Sequence, residues 1–120
     1  MITNTTQIIK EYIKQKYDID AKYLWIKYPN YSVFKHSNNK WFGVLMNIPV
    51  KKLCLDSNEF ADVINLKCDQ FVADIIKDNL RIFPAYHMNK EKWISVLLDI
   101  NTDINQVYYL IDQSYNLTKK

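Results

Sequence analysis

Three residues of this chain carry the side chains of a thiol hydrolase, namely Cys68, His87 and Asp99. They could act as nucleophile, general base and orienting acid, and a helix beginning at Cys68 would lower the pKa of its thiol. No local signature of known thiol hydrolases surrounds them, and a free cysteine between a strand and a helix is commonly a small core residue. We therefore expect a protein that is not an enzyme. An enzyme or small-ligand pocket built on these residues remains the third alternative.

A metal site would draw its ligands from four separate elements, and the candidates are Cys54, Cys68, His36 and His87. No CxxC or HxxxH spacing preorganises them, and two cysteines do not make a disulfide framework. The chain has a single glycine, Gly43. P-loops, dinucleotide-binding turns and the G-x-S-x-G elbow of serine hydrolases all need more glycine than this. The sequence therefore predicts neither a metal nor a cofactor.

The richest cluster of hydrogen-bond donors is the stretch PAYHMNKEKW, residues 84–93. Its candidate phosphate donors are His87, Asn89, Lys90 and Lys92. Tyr86 or Trp93 could stack on a base if their rings are exposed. A second basic point is formed by Lys35, His36 and Lys40 around a predicted hairpin turn. The alternative is that the aromatic rings belong to the core and the lysines form a solvated rim.

The charge of the chain is compatible with a polyanionic partner but does not require one. The 120 residues carry a net charge of +3, with a pI near 8.8. Lys, Asn, Ile and Tyr are all abundant, which an AT-rich coding sequence would produce without any selection for binding. The only arginine is Arg81, and bidentate arginine contacts to guanine are the commonest device for reading bases in the major groove. Any DNA binding should therefore occur mainly through the backbone.

Hydrophobic periodicity predicts the elements that position these residues. Helical spacing indicates a helix over residues 5–17, alternation and turn residues indicate a hairpin over 31–36 and 41–48, and a further strand follows at 62–67. Asp69 then begins a helix that ends near Asn79, and its expected buried set is Phe71, Val72, Ile75 and Ile76. A strand at 93–98 precedes a last helix, which starts with Asp103 and Gln106 at capping-box spacing.

This order of elements predicts one α+β domain over residues 1–120, with an antiparallel-rich sheet and helices packed on it. The longest apolar stretch, residues 41–50, is interrupted by Asn47 and Pro49 and is too short to span a membrane. The N-terminal residues lack the pattern of a signal peptide. We therefore expect a cytoplasmic protein that is not inserted in a membrane.

Four segments occur in a recognisable order: VFKHSNNKWFGVLM, NLKCD, PAYHMNKEKWISVLLD and LIDQSYNLT. They resemble successive motifs of the MmcQ/YjbR family of small bacterial proteins, and the resemblance covers residues 23–118. It implies an α+β domain of a double-wing, DNA-binding-like type. The matching motif positions are Lys40, Trp41, Lys67, Cys68, Pro84, His87, Asn89, Lys90, Trp93, Asp99, Ser114 and Tyr115. Lys92 departs from the family pattern, since many relatives have histidine there.

The motif positions include structural candidates as well as contact residues. We expect Pro84 to fix a loop, and Ser114 and Tyr115 to anchor the last helix to the sheet through hydroxyl hydrogen bonds. His87 and Asn89 could satisfy backbone groups of their loop or contact a ligand.

Our first hypothesis is a non-enzymatic protein that contacts DNA phosphates through Lys90, Lys92 and His87, aided by Lys35 and Lys40, with little sequence preference. The second is a protein-interaction module with an exposed aromatic patch and an unknown protein partner.

Overall fold

The structure is a computed structural model that describes residues 4–53 and 55–119. Cys54, one of the predicted metal ligands, lies outside the described residues. The elements in chain order are α1 (Asn4–Tyr17), β1 (Ser32–Lys35), β2 (Trp41–Pro49), a 3₁₀ turn (Val50–Leu53), β3 (Phe60–Lys67), α2 (Gln70–Ile76), β4 (Ile82–Pro84), β5 (Trp93–Leu98) and α3 (Ile104–Thr118). The predicted first helix, hairpin, two later strands and last helix are confirmed. In the part of the chain that the structure describes, no helix is long and apolar enough to cross a bilayer.

The five strands form one sheet in the order β1-β2-β3-β5-β4, and every neighbouring pair is antiparallel. The predicted α+β class with an antiparallel sheet is therefore confirmed. Strand β4 was not predicted, because three residues are too few to show alternation. Pro84 ends this edge strand, opposite Ile94, rather than fixing a loop. Proline suits an edge strand because it has no backbone N–H to donate.

The sheet buries both of its faces. On one, which we call the helix face, residues such as Ile64 and Val96 pack against α1, α2 and α3. On the other, which we call the outer face, Val63 and Leu97 are also buried. There the cover is irregular chain with large aromatic side chains, including Trp25, Tyr31 and Tyr86. The outer face is thus covered by loops.

A buried hydroxyl group of helix α3 bonds directly to the backbone of the sheet. The Ser114 hydroxyl donates to the carbonyl oxygen of Phe42 at 2.5 Å and accepts from the backbone N–H of Lys67 at 2.9 Å. Both partners lie at the end of the sheet where the β1–β2 register shifts, which is where backbone groups lose their ladder partners. The predicted role of Ser114 is confirmed. Tyr115 instead contributes its ring, which stacks on Tyr17 with centroids 3.8 Å apart.

Helix α2 is shorter than predicted, and of its four expected buried residues Ile76 alone packs against the core. Phe71 and Ile75, expected in the core, are 82% and 81% exposed, and Val72 is also exposed. Ala73 is the buried residue instead. The predicted cap is confirmed, since the Asp69 carboxylate accepts from the backbone of the first turn. Over a seven-residue helix, apolar spacing alone does not show which side faces the core, and the small alanine allows the closest approach to the sheet.

A buried polar cluster fixes the loop over residues 85–92 on the outer face. The Asn65 amide donates to the carbonyl oxygen of Tyr86 at 2.8 Å, and the Ser95 hydroxyl donates to the Asn65 oxygen at 2.5 Å. The backbone N–H of Tyr86 donates in turn to the Ser95 hydroxyl at 3.0 Å. Asn65 and Ser95 are fully buried. We call these three residues the polar lock, because they satisfy both backbone groups of Tyr86.

An arginine–carboxylate pair lies at the C-terminal end of β5. Arg81 donates to the two carboxylate oxygens of Asp99 at 2.9 and 2.6 Å. This bidentate geometry holds the pKa of Asp99 below its ordinary value of 3.8. The Asp99 oxygen also accepts from the backbone N–H of Asn101, so the carboxylate organises the turn that precedes α3.

We predict that Ser114→Ala lowers the free energy of unfolding by about 1–3 kcal/mol, because it leaves the Phe42 carbonyl and the Lys67 N–H without their shared partner. Urea unfolding of the purified variant measures the loss. Asn116→Ala, at an exposed position of the same helix, is the matched control and should change the value by less than about 0.5 kcal/mol. Equal effects of the two substitutions would contradict the anchoring role.

We predict that Asn65→Ala costs about 2–3 kcal/mol of unfolding free energy and accelerates hydrogen exchange at the Tyr86 amide, since the polar lock is broken. Exchange measured by NMR, with urea unfolding alongside, tests both parts. Asn58→Ala, at an exposed loop position, is the control. An Asn65→Ala protein with native stability and native exchange at Tyr86 would show that the lock does not hold the loop.

The Arg81–Asp99 pair predicts a pH dependence of stability. Because the folded pKa of Asp99 is depressed, its contribution is complete above the unfolded pKa and is lost as pH falls through the folded value. Asp99→Asn should therefore be less stable than the native protein near about pH 6, and the difference should shrink towards about pH 3. Urea unfolding at a series of pH values measures it. A difference that does not depend on pH would contradict this account.

Candidate functional site

An open pocket lies on the outer face of the sheet. Its volume is about 270 Å³, and it is lined by Trp25, Tyr28, Tyr31, Trp41, Val44, Met46, Asn65, Tyr86, His87 and Met88. The lining residues come from the segment that follows α1, from β2 and β3, and from the loop held by the polar lock. We call this cavity the aromatic pocket.

The aromatic rings of the pocket support one another. Trp25 meets Trp41 edge to face, with centroids 5.8 Å apart and ring planes at 89°. Trp25 meets Tyr31 in the same way at 6.1 Å and 77°. Tyr28 stacks on Tyr31 at 4.8 Å. Burial raises the pKa of Tyr31 above its ordinary value of 10.0. These contacts fix the ring orientations and leave a rigid apolar wall.

Two local features place the walls. A short bridge between Lys22 and Val33 brings the segment before β1 alongside the sheet, and the polar lock seats Tyr86 from the other side. The next residue, His87, has a φ of 63°, which is uncommon for a residue other than glycine. Its ring lies 3.8 Å from that of Tyr86 and is exposed at the lip of the pocket.

Basic and aromatic side chains alternate at the end of the sheet next to the pocket. Lys35 lies opposite Trp41, and Lys67 lies opposite Trp93. Strand alternation puts Lys67 on the same face as Asn65, a lining residue. Lys35 is likewise two residues from Val33, which is buried on the outer face. We call these four residues the end row.

Among the described residues, neither Lys35 nor Lys67 forms an ion pair. Lys67 was not among the residues that we expected to touch a ligand. Its position in the NLKCD motif was the one sequence signal for Lys67. The face of the sheet on which Lys67 lies depends on the strand register, which the motif does not give.

The predicted contact residues of the 84–93 stretch separate into two groups. Lys90 donates through its ammonium to the carbonyl oxygen of Ala85 at 2.7 Å, and the Asn89 side chain accepts from the N–H of Glu91. Both stabilise the loop. His87 and Lys92 are exposed, and Trp93 is half-buried at the start of β5.

The predicted basic point at the hairpin is only partly available. Lys40 is exposed and Lys35 is half-buried. His36 is buried on the helix face, where its Nε2 lies 2.8 Å from the Thr118 hydroxyl and its ring contacts Tyr115. Burial lowers the pKa of His36 and so favours the neutral ring. Its expected role as a cationic contact is therefore wrong.

The three residues of the thiol hydrolase alternative are not brought together. Cys68 is buried on the helix face, where burial raises the pKa of its thiol instead of lowering it. His87 lies on the outer face and Asp99 is held by Arg81. Strand β5 begins at Trp93, beside Cys68, and ends just before Asp99. Asp99 therefore lies about 20 Å from Cys68, which is the length of the strand. The idea that these residues form one catalytic site is wrong.

The candidate metal ligands are also separated, since His36 and His87 lie on opposite faces of the sheet. Within residues 4–53 and 55–119, no group of three His, Cys, Asp or Glu side chains is arranged to hold a metal ion. The chemistry offered by the outer face is therefore that of ring stacking combined with positive charge.

Both the sequence and the fold are similar to those of known proteins. The sequence matches the family model described as YjbR over residues 9–117. It is 42% identical to the uncharacterised protein YyaQ of Bacillus subtilis, over 96% of this chain and 98% of that one. The crystal structure of a Pseudomonas syringae protein superposes with a TM-score of 0.90 at 39% identity, covering 94% of this chain and 97% of that chain.

A more distant Deinococcus radiodurans protein shares the fold. Its crystal structure superposes with a TM-score of 0.72 at 17% identity, over 98% of this chain and 80% of that chain. The family match thus extends from the middle of α1 to the end of α3 and includes every strand of the sheet. On these grounds, and in agreement with the motif order of its sequence, the chain belongs to the YjbR family.

Proposed function

We propose that this protein binds DNA without catalysing a reaction, and that it does so through the outer face of its sheet in the cytoplasm. The observation that carries the proposal is the end row, in which two lysines without ion-pair partners among the described residues alternate with two tryptophans. Lysines paired with phosphate, beside aromatic rings that accept stacked bases, are the usual components of a nucleic-acid groove. The resemblance to DNA-binding-like double-wing proteins is consistent with it.

The lysines of the end row differ from two lysines of α1 that form ion pairs. On α1, Lys14 lies 2.9 Å from Asp18, and Lys16 lies 2.8 Å from Asp112. Those lysines are neutralised by neighbouring carboxylates. Lys35 and Lys67 form no ion pair among the described residues, so their charge remains available to an incoming phosphate. Two positive charges without ion-pair partners among the described residues therefore lie at the end of the sheet next to the pocket.

We assign the phosphate contacts to Lys35, Lys67 and Lys92, with His87 and Lys40 at the margins. Lys90 and Asn89 are left out because their side chains already stabilise the loop. The lysine ammonium is a point charge without the bidentate geometry that reads guanine, and Arg81 is engaged by Asp99. Binding should accordingly show little sequence preference and a steep dependence on salt.

A protein-interaction module is the second candidate, and exposed apolar residues beside the pocket favour it. Ile26 is 98% exposed and Tyr28 is 52% exposed. Exposed apolar groups gathered near one rim are typical of protein interfaces. This alternative predicts association that tolerates high salt, whereas phosphate binding does not.

Fluorescence anisotropy of short labelled DNA, titrated at several salt concentrations, tests the proposal. We expect a Kd of roughly 1–100 μM at moderate salt, weakening as salt rises. The double variant Lys35→Glu, Lys67→Glu should weaken binding and reduce the slope of log K against log salt by about 2, because two phosphate contacts are lost.

The matched control is Lys51→Glu, Lys52→Glu, which changes the net charge by the same amount at two exposed residues of the 3₁₀ turn. This turn follows the end of β2 that is away from the end row. It should keep most of the affinity. Circular dichroism establishes that each variant is folded. Absence of binding at low salt would overturn the proposed function, and equal losses in the two double variants would overturn the assignment to the outer face.

A further inference from the structure

We propose that the aromatic pocket holds one unpaired nucleobase while the lysines of the end row hold the adjoining phosphates, so that the preferred partner is single-stranded nucleic acid. This inference rests on the proposed function and specifies its ligand. The shared chemistry is a planar heterocycle that carries an anionic group. A nucleotide within a strand and a free nucleotide both have that chemistry.

The size of the pocket favours a single ring system. Sites for drug-sized molecules occupy roughly 300–1,000 Å³, and the aromatic pocket encloses about 270 Å³. Its rings are held by edge-to-face contacts among Trp25, Trp41 and Tyr31 and do not need to rearrange around a ligand. A base is flat, apolar on both faces and polar at its edge, which suits a pocket with aromatic walls and a polar rim.

The charge around the pocket selects an anion. Aromatic pockets often bind organic cations, whose charge is stabilised by ring faces and by nearby carboxylates. No carboxylate occurs among the described residues that line this pocket. Lys67 follows the lining residue Asn65 by two positions, a separation of about 7 Å along the strand, and Lys35 lies opposite the lining residue Trp41. A cation would be repelled here, whereas a phosphate attached to the bound base would be attracted.

The position of the pocket disfavours a paired base. Its walls are the segment 25–31 and the loop 86–88, which stand on the outer face of the sheet on either side of the cavity. A base stacked inside a duplex must first be unstacked and unpaired to enter, whereas a single strand presents its bases freely. Tyr28, stacked on Tyr31 and 52% exposed, offers a second ring surface to the next base. The left-handed backbone of His87 at the lip, with φ of 63°, is the kind of strain that occurs at ligand sites.

The test compares four ligands with the native protein at one low salt concentration. They are a labelled single-stranded oligothymidylate, the same strand paired with its complement, an abasic strand of equal length, and free thymidine monophosphate. Anisotropy reports the strands. Tryptophan fluorescence reports the mononucleotide, since two of the three tryptophans line the pocket and the third, Trp93, lies in the end row. The abasic strand keeps the phosphates and lacks the bases, so it isolates stacking from charge.

We expect the single strand to bind roughly tenfold or more tightly than the duplex and the abasic strand, because stacking adds to the phosphate contacts. The variant Tyr28→Ala, Tyr86→Leu should reduce single-strand binding to the abasic level and leave abasic binding unchanged. Neither substitution touches the backbone groups that the polar lock uses. Tyr109→Ala, which removes an exposed tyrosine from α3, is the matched control and should bind like the native protein.

The outcomes separate the two proposals. Equal affinity for the single strand, the duplex and the abasic strand would overturn the base-binding inference and leave phosphate binding in place. No binding of any strand at low salt would overturn both. Tryptophan quenching by free thymidine monophosphate at the concentrations needed for the strand would overturn the strand as partner and assign the pocket to a free nucleotide.

Discussion

The sheet has two apolar faces, and the helices cover only one of them. Ile64 and Val96 lie under the helices, whereas Val63 and Leu97 lie under irregular chain. Irregular chain can bury an apolar surface only if its own backbone groups find partners. The polar lock supplies them, since Asn65 and Ser95 satisfy both backbone groups of Tyr86. The aromatic pocket depends on this arrangement, because one of its walls is the loop that the lock holds.

The aromatic residues have different roles on the two faces. On the helix face, Tyr12 and Tyr17 both donate to the Asp112 carboxylate, which also pairs with Lys16, and they join α1 to α3. On the outer face, Trp25 and Tyr28 surround a cavity that water can enter. Similar residue types thus close the structure on one side and leave a binding surface on the other. The difference comes from the geometry of what packs against them, since helices fill space continuously and loops do not.

Among the described residues, some of the cationic side chains form ion pairs, whereas those of the end row do not. On α1, Lys14 pairs with Asp18 and Asp20, and Lys16 pairs with Asp112. The single arginine is used by Asp99. In the described part of the chain, the lysines of the end row have no such partners. A small net charge can therefore produce a local positive field, which a total over the sequence does not reveal. This is the reason why the two proposals for the outer face concern an anionic ligand.

The sequence by itself determined the helices α1 and α3, the hairpin and strands β3 and β5, because periodicity, turn residues and caps such as Asp103 are local signals. It also predicted the anchoring role of Ser114 and the exposed position of Lys92. Only the tertiary structure decided which side of α2 faces the core, that His36 is buried, that Lys90 stabilises its own loop, and that Lys67 joins Lys35 beside an aromatic pocket. Within the run YLWIKYPNY, the ring of Tyr31 contacts those of Trp25 and Tyr28, so part of the aromatic wall is local. The contact of Trp25 with Trp41 and the position of Tyr86 across the pocket join residues far apart in the chain. Strand register and loop docking set those contacts, and no short stretch of sequence encodes either one.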